Sequence, residues 1–181
     1  MTARWIVTAL GQDRPGMVAG VTKALYELGC NLEDSAMRRL EGEFTIMLIF
    51  STAKAITEPQ LLRRFEPLQR TLGLVVHLKP LRRAEAASPK SRGPHYLISV
   101  YGADRPGIVF KMSDLLARAR VNIIDLHTHR SVGRGPSLYM LILDVELPSR
   151  VSPGSLEKRL KRLAGSLGVE VSLRPSEPDV L

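Results

Sequence analysis

Hydrophobic and polar positions follow one pattern in the first half of the chain and repeat it in the second half. Residues 4–10 form a short apolar run rich in β-forming side chains, which predicts a strand. Apolar side chains then recur at the spacing of a helix, at Val18, Val21, Leu25 and Leu28. The glycine that follows them is typical of a helix end, so a strand and a helix open the chain.

Two further strands lie between this helix and the next one. Residues 31–40 and 44–51 enclose Glu41-Gly42-Glu43, a combination that predicts a hairpin. A second helix is predicted over residues 61–72 and a last strand over 75–78, and the second half shows the same series. The order βαββαβ, present twice, predicts the α+β class. It is typical of two ferredoxin-like domains in tandem, each an antiparallel sheet with both helices on one face.

The tetrapeptide Asp-Arg-Pro-Gly marks the duplication most clearly. It occupies positions 13–16 and again 104–107, and the same offset aligns Asn31 with Asn122 and Arg39 with Arg130. Chance does not keep one register over most of two half-chains, so we infer a duplicated unit. We therefore predict domain 1 at residues 1–80, a basic linker rich in Pro, Ser and Gly at 81–94, and domain 2 at 95–176.

Composition narrows the class of protein. Of 181 residues, 26 are Lys or Arg and 18 are Asp or Glu, and the net charge of +8 suits an acidic partner without naming one. The single cysteine, Cys30, excludes an intramolecular disulfide and fits a reducing compartment. No targeting segment is recognised, and the apolar stretch 44–50 is far shorter than the ~20 residues of a membrane helix. We expect a cytoplasmic protein without membrane contact.

The turn between the first strand and the first helix is the candidate binding site of each copy. The N–H groups of a first helical turn carry the positive end of the helix dipole and can bind a carboxylate. Gly11 and Gly16 allow close approach of the backbone to a ligand, and Asp13 with Pro15 is expected to cap and start the helix. Asn31 begins the next strand and is expected near the same end of the sheet, with its amide available to a zwitterion. A purely structural strand-to-helix turn explains the same residues, and this alternative stays open.

The turn, the amphipathic helix, the following asparagine and the βαββαβ order together resemble an ACT domain. Such domains are small modules that bind amino acids and control metabolic enzymes or transcription. Two of them in one chain of this length resemble the glycine cleavage system transcriptional repressor family. The resemblance implies an effector held between two copies by the turn and by the start of the second strand: Gly11, Gln12, Asp13, Arg14, Pro15, Gly16 and Asn31, and Gly102, Ala103, Asp104, Arg105, Pro106, Gly107 and Asn122.

Three weaker signals are assigned to structure rather than to chemistry. Asp125, His127 and His129 alternate along one predicted strand and share a face, but the first copy does not repeat the set, so we expect no metal site. The basic residues at 158–162 lie off the leucine stripe of the last helix and are expected on the surface. Cys30 aligns with a valine and is expected to be a small buried apolar residue.

The predicted function is regulation without catalysis. No catalytic set recurs at matched positions and two small modules use the whole chain, so we expect no enzyme activity and no cofactor. The resemblance implies a homodimer that senses a small amino acid, glycine or serine as first candidates, and acts through a transcription regulator. Docking on an enzyme of amino-acid metabolism is the alternative. Direct nucleic-acid binding is disfavoured, since the central strands lack the basic-Gly-aromatic pattern of RNA-recognition motifs.

Overall fold

Each half of the chain builds a four-stranded antiparallel sheet from strands whose alternate residues are apolar. A computed structural model describes residues 3–54, 56–81, 93–131 and 137–176 and divides the chain into two compact units, Met1–Ala87 and Ser88–Leu181. The strand order is β2-β3-β1-β4 in unit 1. Its elements are β1 (Ala3–Gln12), α1 (Met17–Tyr26), β2 (Asn31–Leu40), β3 (Glu43–Thr52), α2 (Glu58–Leu72) and β4 (Val75–Leu81).

Unit 2 repeats this architecture. Its strand order is β6-β7-β5-β8, which matches that of unit 1 strand for strand. The predicted pair of ferredoxin-like βαββαβ units is therefore confirmed. Its elements are β5 (His95–Ala103), α3 (Ile108–Arg118), β6 (Asn122–Ser131), β7 (Leu138–Glu146), α4 (Pro153–Leu167) and β8 (Val169–Ser176).

The core of unit 1 lies between the sheet and its two helices. One face of β1 and β3 supplies alternate residues that are almost fully buried, and α1 and α2 cover them. The stripe on α1 starts at Met17 and continues through Val21 and Leu25, whereas the predicted member Val18 is 42% exposed. The stripe is displaced because the helix begins at Met17, which takes the first core position. The sheet residues of this core are Trp5, Val7, Ala9, Phe44, Ile46, Leu48 and Phe50.

The strand β2 lies at the edge of its sheet, and all ten of its residues are exposed. The hairpin to β3 turns on two residues with positive φ, Glu41 at 48° and Gly42 at 85°. This is the signature of a tight two-residue hairpin loop, so the predicted hairpin is confirmed. The corresponding loop of unit 2, residues 132–136, lies outside the described residues.

Most of the predicted linker, residues 82–92, also lies outside the described residues. The division between the two units falls within the predicted 81–94 segment. The described structure resumes at Gly93, whose N–H donates to Glu146 Oε1 at 2.9 Å. The linker and the domain limits placed around it remain predictions.

The two copies end their first helix in the same way but with different residues. After α1, Gly29 has a φ of 71°, and after α3 the matching Arg120 has a φ of 55°. In both copies the N–H of the following residue donates back to the last turn of the helix. Cys30 N–H donates to Leu25 O at 3.1 Å, and Val121 N–H donates to Leu116 O at 3.0 Å. Glycine adopts this left-handed conformation without the side-chain clash that arginine meets.

Exchanging these two residues should change stability in opposite directions. Arg120→Gly removes the left-handed strain of about 1–2 kcal/mol but adds the chain entropy of glycine, so a net gain of about 0.5–1 kcal/mol is expected. Gly29→Arg should lower the free energy of unfolding by about 1 kcal/mol through backbone strain. The position is exposed and a Cβ there meets nothing within 4 Å, so no steric clash adds to this cost. Urea unfolding followed by circular dichroism measures both, and a loss of stability in Arg120→Gly contradicts the assignment.

Candidate functional site

The end of β1 in unit 1 and the turn that follows it, residues 11–16 and here called the first loop, lead directly into α1. The residue that precedes the helix is Gly16, with a φ of 95°, and no side chain caps the helix. The expected cap by Asp13 is therefore wrong, and Pro15 lies before the helix rather than in its first turn. Gly107 occupies the same place in unit 2 with a φ of 93°. The first turn of α1 carries no acidic side chain, so the positive end of its dipole is not neutralised locally.

Asp13 fails as a cap because it attaches the first loop to the β2–β3 hairpin. Its N–H donates to Gly42 O at 2.8 Å, and its Oδ2 lies 3.3 Å from Arg39 Nη1. These contacts hold the loop against the end of the sheet. Arg39 is a candidate site residue that sequence reasoning missed.

Unit 2 repeats the attachment. In the second loop, residues 102–107, the N–H of Asp104 donates to Ser137 O at 3.0 Å, and its Oδ2 lies 3.7 Å from Arg130 Nη1. Arg39 and Arg130 occupy matched positions of the repeat. The alignment of these two arginines was the signal in the sequence for the ion pairs. Each arginine lies far from its aspartate along the chain, so no local motif contains both residues.

Cavities of about 440 and 610 Å³ open elsewhere in unit 1, and the cavity at the first loop, of about 530 Å³, has charged walls. Its walls combine an arginine, two carboxylates and an amide, and no apolar side chain lines it. Arg39 offers a cation to a carboxylate, and the carboxylates offer partners to an ammonium group. The lining residues are Gln12, Asp13, Arg39, Glu41 and Gly42.

The structure does not bring Asn31 to this cavity. Asn31 pairs with Ser51, which pairs in turn with Arg4 near the start of β1. At the other end, Arg39 lies level with Gly11. Seven residues of strand separate the two levels, roughly 23 Å. The expectation that Asn31 lies near the first loop is wrong within one unit, because β2 and β1 run in the same direction on either side of β3.

The same separation holds in unit 2. Asn122 lies level with His95 at the start of β5, whereas Arg130 lies level with Gly102 at its end. In each copy the loop and the asparagine are thus at opposite ends of one sheet. Within one unit the two groups of predicted site residues are therefore not brought together.

The two loops differ in what their arginine contacts. Arg14 Nη2 donates to Gln12 Oε1 at 2.9 Å. In unit 2 the glutamine is replaced by Ala103, and Arg105 lies against Gly168 at the end of α4, with its Nη1 3.2 Å from where a Cβ on that glycine would be. A cation is favoured at a helix C-terminus. Arg105 therefore contacts the C-terminus of α4, whereas Arg14 makes no such contact with the matching Gly73 at the end of α2.

The first glycine of each loop is required by packing rather than by ligand approach. A Cβ on Gly11 would lie 3.2 Å from Gly73 O. On Gly102 it would lie 2.8 Å from Val169 Cγ1 and 3.0 Å from Val169 Cα. A Cβ contact below 3.0 Å is essentially never seen and one of 3.2 Å is tighter than most, so Gly102 lets β8 approach β5, and Gly11 lets the turn before β4 approach β1. These two glycines support the alternative of a purely structural turn.

The remaining predicted features lie outside this site. His127 Nε2 is 2.7 Å from Asp125 Oδ2 on one face of β6, and within the described ranges no three His, Cys, Asp or Glu residues are grouped to hold a metal. The basic residues of α4 are exposed, as predicted: Lys158, Arg159, Lys161 and Arg162. In the described part of the chain, no helix is long and apolar enough to cross a membrane.

Cys30 is half-buried and packs against the core of unit 1. Burial raises the pKa of its thiol, and a hydrogen bond with the Thr52 side chain opposes this only in part. A thiol with a raised pKa is a poor nucleophile at neutral pH. The interpretation of Cys30 as a packing residue is consistent with these surroundings.

Comparison with known proteins settles the family. The sequence profile of the ACT domain matches residues 4–79 and again residues 95–174. The chain belongs to the ACT domain family. It therefore consists of two ACT domains in tandem, and the predicted resemblance is confirmed.

Relatives match either the whole ACT pair or a single domain. The glycine cleavage system transcriptional repressor of Escherichia coli K12 is 28% identical over 172 residues, 93% of this chain and 87% of the relative. A UPF0237 protein of Streptococcus mutans is 35% identical over 74 residues, 41% of this chain and 84% of the relative. A crystal structure of a protein of unknown function from Galdieria sulphuraria has a TM-score of 0.82 at 24% identity and covers 98% of this chain and 100% of its own. That structure supports the fold.

The packing explanation for the loop glycines predicts a difference between the two ACT domains. Gly102→Ala should destabilise the protein by ~1–3 kcal/mol, because the new methyl group meets the backbone of β8, and Gly11→Ala should cost less. Gly165→Ala in α4 is the control, since a Cβ there meets nothing within 4 Å and alanine in a helix should add about 0.5–1 kcal/mol to stability. Urea unfolding compares the three variants with the unmodified chain. A Gly102→Ala protein as stable as the unmodified chain contradicts the explanation.

Proposed function

We propose that this protein is a non-catalytic regulator that senses a small amino acid and acts through a partner protein, as a transcriptional regulator of glycine or one-carbon metabolism. The observation that carries the proposal is that two ACT domains occupy almost the whole chain. The similarity to the Escherichia coli glycine cleavage system transcriptional repressor supports it, since that match extends over 93% of the chain.

The cavity at the first loop supports a zwitterionic ligand. Arg39 would pair with the ligand's carboxylate, and Asp13 and Glu41 with its ammonium group. The walls are polar throughout, so they favour a ligand without a large apolar side chain. Glycine and serine are therefore the first ligands that we propose.

The separation of Asn31 from the first loop supports a site shared between two ACT copies, and we propose that a second chain supplies one of them. Asn31 lies at the opposite end of its own sheet, so the resemblance to ACT domains assigns a shared site only if another copy contributes. An amino acid that binds between copies would shift the equilibrium toward the assembled form, to the extent that it binds this form more tightly than it binds the separate chains. The partner protein would then recognise that form.

The alternative is a regulatory subunit that docks on an enzyme of amino-acid metabolism. This alternative has the same amino-acid site and differs only in the partner protein. Isolation of the bound partner from source cells therefore distinguishes the two hypotheses. Direct nucleic-acid binding has less support. The aromatic side chain exposed on the central strands of unit 2 is Tyr101, and a base-binding sheet uses several stacked aromatics.

Calorimetric titration of the full chain with each of the common amino acids tests the proposal. We expect heat from a small amino acid at millimolar concentration or below, and at least a tenfold weaker affinity in Asp13→Asn. The Asp13–Arg39 pair is exposed and is worth only about 0.2–1 kcal/mol to stability, so the variant should stay folded.

Asp114→Asn is the matched control, because Asp114 also pairs with an exposed arginine, Arg118, but lies on α3. It should bind as the unmodified chain does. Asp104→Asn reports whether the second loop contributes. If no amino acid gives heat, or if Asp13→Asn binds with unchanged affinity, the proposed site is wrong.

A further inference from the structure

A cavity of about 610 Å³ lies between the end of α1 and the start of α2, and is here called the basic cavity. Its lining residues fall within 27–28 and 54–64. The strand β3 ends at Thr52, which pairs with Ala3 at the start of β1, whereas the first loop lies at the end of β1. The length of β1 therefore separates the basic cavity from the candidate amino-acid site. Its volume is in the range of sites for small molecules.

Three cations line the basic cavity: Lys54, Arg63 and Arg64. One carboxylate, Glu27, lies among them, so three positive charges and one negative charge give the lining a net charge of +2. Arg64 pairs with Glu27, whereas Lys54 and Arg63 have no ion-pair partner within the described residues. Two cations at one cavity are therefore available to an anionic ligand.

The helix α2 presents its polar lining residues on one face. Gln60 lies three residues before Arg63 and four before Arg64, the spacing that makes side chains neighbours on a helix. Gln60 Oε1 accepts a hydrogen bond from the N–H of Thr57 at 2.9 Å, which fixes the side chain. With its oxygen occupied, the amide group of Gln60 has its N–H donors left for a ligand. One helix face thus offers two guanidinium groups and an amide donor.

Two half-buried apolar side chains complete the lining. Leu28 and Ile56 pack against the core of unit 1 and also line the basic cavity. A ligand with an apolar group beside its anionic group would bury apolar surface against them, which an inorganic ion cannot do. The cavity at the first loop has no such lining. The two cavities therefore suit different ligands.

We propose that the basic cavity binds a small organic phosphate, whose phosphate group is held by Lys54, Arg63 and Arg64. A phosphate monoester carries a charge of about −1.5 to −2 at neutral pH and has three strong acceptor oxygens. Its charge compensates that of the lining, and its oxygens suit the guanidinium forks. A monocarboxylate has one charge and two oxygens, and compensates only part of the lining. The site is additional to the proposed amino-acid site and does not depend on it.

Glu27 opposes anion binding at this site. Its Oε2 lies 3.6 Å from Arg64 Nη2, and its Oε1 lies 3.8 Å from Lys23 Nζ. The carboxylate occupies one of the three cations and would repel a phosphate. Removing its charge should therefore strengthen binding of the ligand, whereas removing a cation should weaken it.

Unit 2 preserves only part of this lining. The two cations of the α2 face recur on α4 as Lys158 and Arg159, but Ser155 takes the place of the amide. The position of Leu28 is taken by Ala119. Unit 2 keeps the positive charge without the amide donor and with a smaller apolar side chain. We therefore assign the site to unit 1.

Titration of the isotope-labelled full chain with phenyl phosphate, followed by two-dimensional NMR, tests the proposal. The amide signals of residues 56–64 should shift and saturate at millimolar concentration or below. Inorganic phosphate lacks the apolar group and benzoate lacks the second charge, so each should bind about tenfold more weakly or worse. Lys54→Gln and Arg63→Gln should each weaken binding of phenyl phosphate by about tenfold. Glu27→Gln should strengthen it by about twofold to fivefold.

Two control variants remove a positive charge from an exposed helix position outside the basic cavity. Arg70→Gln lies later on α2, and Lys158→Gln lies at the position of unit 2 that matches Arg63. Both should bind phenyl phosphate as the unmodified chain does, and the NMR spectrum of each variant reports whether it is folded. The proposal is overturned if phenyl phosphate gives no saturable shifts, if inorganic phosphate or benzoate binds as tightly, or if Arg63→Gln weakens binding no more than the controls do.

Discussion

The antiparallel pairing of β3 with both β1 and β2 determines where every candidate site residue lies. One intervening strand makes β1 and β2 run in the same direction, so the end of β1 is level with the end of β2. The first loop is consequently attached to the β2–β3 hairpin through Asp13, Arg39 and Gly42. Asn31 is held at the other end, so a single sheet does not bring together the residues that the ACT resemblance implies.

The fold could be predicted from sequence because its signals are local and occur twice. Alternating apolar residues define the strands, helical spacing defines the helices, and Glu41-Gly42 supplies the positive φ values of a tight hairpin. The repeat then confirms each element against its counterpart. These features need no knowledge of which strands are neighbours in the sheet.

The site was less predictable because it depends on strand order. Asn31 follows the first helix along the chain, but closeness in sequence to a loop says nothing about which end of the sheet a strand starts from. The cap assigned to Asp13 was wrong for a related reason. An aspartate two residues before a proline is typical of a cap, yet here the sheet brings Arg39 and Gly42 close, and they bind its side chain and its N–H instead.

The two copies share what the backbone requires and differ in what the surface presents. Gly102 allows β8, and Gly11 the turn before β4, to approach the first strand of its unit, and Gly16 and Gly107 both have positive φ. The contacts of Arg14 and Arg105 differ, because Gln12 is replaced by Ala103. Duplication has therefore kept the fold while the loops have acquired different surroundings.

Complementation between two inactive chains tests most directly whether the first loop needs the asparagine of a second copy. One chain carries Asp13→Ala and the other Asn31→Ala, and each alone should lose calorimetric binding of the amino acid at unit 1. Random mixing makes half of the dimers mixed, each with one intact site, so about a quarter of the original sites should return. If the mixture recovers none while both chains remain folded and dimeric, the site lies within one chain and the account is contradicted.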